Sequence, residues 1–253
     1  MKKWLLFVLF NIPMITWAQG TSSTSVLQDH PAGRNYVELY SESTYYEKYN
    51  WVSESRLRYY LPFYKNDWFK AEAFFGAAWQ WQAVSDSTFY SDAISPGLGV
   101  RLGVFGKVFL TLEERYRMQY SEPREQMSDP RATLSAGDLY YWNGGVKAEG
   151  LLTEGYGESS FVPRLSTAPV SVLWIKQAYR FPLGNGIYLD PYGEYFNRQS
   201  QTADLGPTIT EIRGGLRALW QSSAWTVSGM VYRNFSSQER GSFEGLFVVG
   251  GVF

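Results

Sequence analysis

The chain has 253 residues, of which 45% are hydrophobic, 18% aromatic and 19% charged, with 23 Lys and Arg against 24 Asp and Glu and no Cys. This length and apolar content suffice for a sizeable core, while the near-neutral charge leaves no basic excess to grip a phosphate backbone, so nucleic acid is not an expected partner. The absence of Cys excludes disulfides, thiolate metal sites and Cys nucleophiles.

Residues 1–18 read as a signal peptide. Lys2 and Lys3 supply a positive start, Trp4 to Ile15 an apolar run, and Thr16-Trp17-Ala18 the small residues a signal peptidase recognises. The run is short and interrupted by Asn11 and Pro13, which argues against a membrane anchor. Removing Lys2 and Lys3 takes the formal charge from −1 to −3. No later stretch reaches the roughly 18 consecutive apolar residues of a helical span. Residues 19–34 are rich in Ser, Thr and Gly, lack any period, and read as a flexible periplasmic lead-in.

Residues 35–253 alternate, with turn chemistry between segments of about ten residues and no sustained helical period. In residues 51–61, Leu57, Tyr59 and Leu61 share a side opposite Glu54, Arg56 and Arg58. After Pro207, Ile212, Leu216 and Trp220 oppose Glu211, Arg213 and Arg217. Counting from the N-terminal side predicts strands near 36–45, 51–61, 68–81, 95–104, 107–119 and 138–150. Counting back from Phe253 predicts strands near 244–253, 225–235, 208–220, 187–198 and 170–181. A twelfth over 156–165, after a turn at Leu152-Thr153-Glu154-Gly155, makes the number even; merging or splitting weak segments gives ten or fourteen. Tight connections at 64–67, 105–106, 183–186 and 221–224 exchange with long polar ones near 82–93, 121–136, 199–207 and 236–243. Short turns on one rim and long loops on the other are the habit of a transmembrane barrel.

The signal peptide, the alternating strands and the terminal Phe253 together resemble Gram-negative outer-membrane β-barrel proteins. The last strand, with Phe247 and Val249 at alternate positions before Phe253, resembles their terminal assembly signal, although Gly251 stands where a large residue is common. The resemblance implies a single closed, all-β antiparallel barrel of about twelve strands in the outer membrane, with short periplasmic turns and long outer loops. It also implies contact with membrane lipid and lipopolysaccharide and delivery by the barrel assembly machinery. Aromatic residues near strand ends fit the two interface girdles of such a barrel.

By alternation the inner face carries Arg56, Arg58, Lys70, Arg101, Arg115, Arg117, Lys147, Arg213 and Arg217. Glu38, Glu42, Glu54, Glu72, Glu113, Glu149, Asp190, Glu194 and Glu211 oppose them. Such charges are either cross-linked into a filled interior or line a narrow polar pore of mixed charge, and twelve strands do not decide which. Glu114 falls on the lipid side, and Pro163, Pro169 and Pro191 lie in or beside strands, so bulges or boundary shifts are expected there. His30, the one histidine, lies before the first strand, so no catalytic imidazole and no metal constellation are expected. No cofactor is expected either. The leading expectation is a narrow pore, or a pore component that works with an envelope transport or secretion partner, for a small solute or secreted polymer. A closed structural or adhesion barrel with partner-binding loops comes second, and a carboxylate-dependent hydrolase, resting on Asp/Glu pairs alone, third.

Overall fold

The computed structural model describes residues 34–46, 50–82, 92–120, 126–142, 149–163, 169–199, 208–236 and 243–253. The expected signal peptide, His30 and most of the lead-in lie outside these residues. Twelve strands follow in chain order: β1 Tyr36–Tyr46, β2 Asn50–Lys65, β3 Phe69–Gln82, β4 Ala93–Val104, β5 Val108–Gln119, β6 Gln126–Tyr141, β7 Gly150–Phe161, β8 Val170–Gly184, β9 Ile187–Gln199, β10 Ile209–Gln221, β11 Trp225–Asn234 and β12 Phe243–Val252. Each pairs antiparallel with its chain neighbours, and β1 pairs with β12 to close the barrel. Closure leaves no edge strand to be satisfied by lipid or water.

The rim where β1 begins and β12 ends, here the lower rim, carries short connections except for 142–149. Two are tight turns of two or three residues with a pair of central residues at positive φ, Phe105-Gly106 (53° and 66°) and Asn185-Gly186 (53° and 74°), matching the twist of the flanking strands. The upper rim carries 83–92, 120–125, 162–169, 200–208 and 235–242, and one short connection at 47–49.

Two predicted strands are displaced. β6 occupies 126–141 in place of 138–150, and β7 occupies 150–161 in place of 156–165, so Leu152 to Gly155 are strand rather than turn. The cause is composition. The upper half of β6 turns Asp129, Arg131, Thr133 and Ser135 inward and only Ser128, Pro130, Ala132 and Leu134 outward, so its apolar face is too weak to reveal the period. Glu114 does face outward, opposite Pro130, in an unbroken ladder, and Pro191 sits opposite Leu216 without a shift. The bulges occur instead at Pro62/Tyr64 and Pro182/Gly184.

Alternation sorts the side chains. The outer wall exposes Leu57, Phe75, Leu98, Leu112, Leu134, Leu173, Ile212, Leu216 and Val231 in a continuous belt. Toward the lower rim stand Tyr64, Trp68, Phe105, Trp142, Trp220 and Phe253, and toward the upper rim Tyr45, Trp79, Trp81, Tyr120, Phe161 and Phe243. An apolar belt encircling the molecule exceeds any patch a soluble monomer leaves in water, and the two aromatic girdles bound it as membrane interfaces require. Phe247, Val249 and Phe253 fall on this outer face, where the Trp225 ring packs edge-on against Phe253 at 4.6 Å.

Candidate functional site

The interior is polar and divides by height. Near the lower rim it is packed. Arg101 of β4, 5% exposed, lies beside Glu72 of β3, with Nε and Nη2 donating to Glu72 Oε2 at 3.0 and 2.9 Å. Its Nη1 reaches across two strands to Glu38 Oε2 of β1 at 3.3 Å and also donates to the Tyr60 hydroxyl at 3.2 Å. Tyr36 and Tyr60 stack at 4.8 Å, and the Arg101 guanidinium lies 4.2 Å over the Tyr60 ring. The Tyr36 hydroxyl donates to Glu72, which also receives Lys70 Nζ at 2.6 Å.

A second cluster fills the opposite side. Arg217 of β10, 4% exposed, donates from Nε and Nη2 to Asp190 Oδ2 of β9 at 3.0 and 2.7 Å, and from Nη1 to Glu154 Oε2 of β7 at 2.7 Å. Arg180 of β8 grips both oxygens of Asp190, Nε donating to Oδ1 at 3.1 Å and Nη2 to Oδ2 at 2.9 Å, and donates to the Tyr141 hydroxyl at 2.8 Å. Leu139, Leu152, Ala178 and Leu219 are buried around it. Ions held at this depth lose hydration that is recovered only through such multidentate pairing.

Above these clusters, Glu113 receives Arg58 at 2.7 Å and Arg115 at 2.9 Å, while Glu194 receives Lys176 and Arg213, both at 3.3 Å. Arg213 also pairs with Glu211 and lies 3.9 Å over the Phe196 ring. A band of inward side chains around and above this level is half-exposed, Tyr40, Glu42, Glu54, Arg56, Arg131, Tyr156, Glu158 and Trp174, while Arg117, Asp129, Glu211, Asn234 and Glu244 toward the upper rim are buried again. Tyr40 donates to Glu42 and Tyr156 to Glu158, each at 2.5 Å, and Gln80 donates to Glu54 at 3.3 Å. Arg56 leans over Tyr40 at 4.5 Å and lies 3.7 Å from Glu38, linking this half-exposed band to the packed floor.

Of the residues singled out from sequence, Arg56, Arg58, Lys70, Glu72, Arg101, Glu113, Arg115, Glu194, Glu211, Arg213 and Arg217 enter these ion pairs. Arg117 donates to Gln80 at 2.8 Å. Glu149 is a correction: with β7 starting at Gly150, it lies exposed in the connection after β6 and does not line the interior. Lys147 lies outside the described residues. The sequence reading missed Glu154, Lys176 and Arg180. Glu154 sat in a supposed turn, whereas Lys176 and Arg180 share one face of β8 with Ala178 and were legible from that spacing. Among the described residues no group of three or more His, Cys, Asp or Glu could hold a metal ion.

No protein-family model matches the chain, and no curated protein resembles it in sequence. Among solved structures it is similar to an outer-membrane channel from Pseudomonas putida, at 12% identity and a TM-score of 0.44, over 88% of this chain and 97% of that one. It is also similar to the β domain of the Bordetella autotransporter BrkA, at 10% identity and a TM-score of 0.46, over 87% and 99%. The translocator domain of the autotransporter NalP from Neisseria meningitidis gives 13% identity and a TM-score of 0.40, over 91% and 92%. At these values the likeness adds nothing to what the barrel's own geometry shows. With charge inside, an apolar belt outside and two aromatic girdles, the chain is a closed twelve-stranded transmembrane β-barrel of the outer-membrane type.

Proposed function

We propose that the chain is a gated pore of the Gram-negative outer membrane for a small polar solute, with its lower rim toward the periplasm and the passage shut in the conformation described. The observation that carries this is a charged interior in which a half-exposed band lies between two buried levels. Tyr40, Glu42, Glu54, Arg56 and Glu158 are half-exposed, whereas Tyr60, Glu72, Glu154, Asp190 and Arg217 below and Arg117, Asp129, Glu211 and Asn234 toward the upper rim are at most 4% exposed. A barrel meant only as a scaffold gains nothing from buried ions, because well-packed apolar residues of similar volume serve as well or better. A polar passage that opens needs them. Charges of both signs along it argue against strong ion selectivity, which calls for a ring of one sign. A closed structural barrel is the second reading, favoured by the multidentate pairing that leaves Arg217 and its carboxylates satisfied without a solute.

Planar-bilayer recording of the purified protein tests the proposal. Brief openings above a silent baseline are the expected result. Silence at every voltage from a correctly assembled barrel, in the native protein and in variants with weakened floor pairs, would leave the structural reading.

A further inference from the structure

The interior repeats itself six strands on. Glu38-Leu39-Tyr40-Ser41-Glu42-Ser43 of β1 corresponds to Glu154-Gly155-Tyr156-Gly157-Glu158-Ser159 of β7, and in each the tyrosine hydroxyl donates to the second glutamate at 2.5 Å. In register, Glu38 faces Arg58 on β2, and Glu154 faces Lys176 on β8. Each unit then has a bulge, at Pro62/Tyr64 and at Pro182/Gly184, the second two residues later in its strand than the first. Glu72 of β3 faces Arg101 of β4 as Asp190 of β9 faces Arg217 of β10. Gly99-Val100-Arg101 and Gly215-Leu216-Arg217 complete the correspondence.

The repeat extends to contacts between strands distant in sequence. Arg101 reaches back over two strands to Glu38, and Arg217 reaches back over two strands to Glu154, each across 63 residues of sequence. Each arginine also holds the carboxylate on the strand immediately before its own. Because β1–β4 and β7–β10 occupy opposite sides of the closed barrel, the two long contacts are chords drawn across the lumen from opposite walls. A contact between adjacent strands stabilises the wall alone. A contact that skips two strands occupies the space a solute would cross.

We infer that β1–β4 and β7–β10 are two copies of one unit set six strands apart, and that each carries an equivalent cross-lumen tie, Arg101–Glu38 and Arg217–Glu154, the two contributing equally to holding the passage shut beside the Arg58–Glu113 contact, which also skips two strands. This rests on the pore reading above and adds which contacts close it. In this arrangement Glu72 and Asp190 anchor the arginines when the ties release, so the guanidinium groups are never left without a carboxylate. Release swings each arginine toward its own wall and leaves the lower lumen polar and hydrated.

Glu38→Gln and Glu154→Gln each remove the charge from one tie while keeping side-chain shape and the anchoring pairs, Glu38→Gln also weakening the Arg56 contact. Recorded in planar bilayers as full-length purified barrels, each single variant is expected to raise open probability about tenfold over the native protein. The double variant is expected to raise it about a hundredfold, since equal and independent ties multiply. If these variants assemble poorly, Arg101→Lys and Arg217→Lys, which keep the charge and lose the forked geometry, are expected to show smaller increases, again equal for the two halves. A double variant no more open than the native protein overturns the inference, as does a native protein that already conducts as freely. The pore reading survives both outcomes if conductance is seen. One single variant that opens the barrel fully while the other does nothing overturns the equivalence of the halves. Silence from every protein overturns this inference and the pore reading together.

Discussion

Leu112→Arg probes the lipid-facing wall. Leu112 is 48% exposed and points outward from the middle of β5, between Val100 and Ala132 on the neighbouring strands. A strand rises about 3.4 Å per residue and tilts about 40°, so each residue climbs roughly 2.6 Å along the membrane normal. An apolar band about 25 Å tall therefore takes about ten residues, which β5 supplies between Val108 and Met118. Leu112, four positions above Val108, then sits roughly 10 Å into the band, close to its midplane. Arginine there costs about 2–4 kcal/mol, whereas Val108→Arg at the lower interface costs about 0–1 kcal/mol. Reversible denaturant unfolding of the barrel in lipid vesicles measures both. Equal costs at the two positions, or a penalty larger at Val108, would refute the placement of the belt across the bilayer.

Three further outcomes follow from named contacts. Arg217→Met leaves the buried Glu154 carboxylate without its guanidinium and halves the cover of Asp190, so the same unfolding measurement is expected to show a loss of about 3–5 kcal/mol. Gly99→Ala places a methyl group 2.3 Å from the Leu112 carbonyl oxygen and 2.5 Å from the Phe74 ring, so strand or ring has to move. The expected cost is about 1–3 kcal/mol, with slower acquisition of the heat-modifiable folded band on gels. Glu114→Leu removes a carboxylate from the lipid side, where Ser128 Oγ donates to it at 2.5 Å, and is expected to stabilise the barrel in vesicles by about 1 kcal/mol.

Strand existence was legible in the sequence wherever both faces carried a strong signal. β2, β3 and β10 set charged residues against Leu, Phe, Ile or Trp at period two, and their inward residues follow directly. β6 lacked that contrast because its outward residues in the upper half are Ser128, Pro130 and Ala132, and the strand after it slid out of register in the reading. That slip hid Glu154 and misplaced Glu149. Glu114 and Pro191 suggested irregularities because a carboxylate in lipid and a proline in a ladder are costly locally, yet the ladders absorb both. The prolines that do mark bulges, Pro62 and Pro182, lie near the lower rim, where the strands leave the regular sheet. Whether the lumen is filled was not legible, since strand number sets its width while the reach of Arg101 and Arg217 across two strands sets its closure. The six-strand repeat was written in residues 38–43 and 154–159, but its meaning depends on the chords that only the folded barrel brings together.

The central claim is a polar passage whose half-exposed band is held shut by the buried ion pairs beneath it, and thiol accessibility tests it most directly because the chain has no Cys of its own. Thr133→Cys places a thiol on the half-exposed inner face of β6, and Ala178→Cys places one on the inner face of β8 at a position 2% exposed. A small membrane-impermeant thiol reagent applied from the outer side of intact cells is expected to label the Thr133→Cys protein and spare the Ala178→Cys protein. Labelling of both at similar rates, or of neither, would contradict the account.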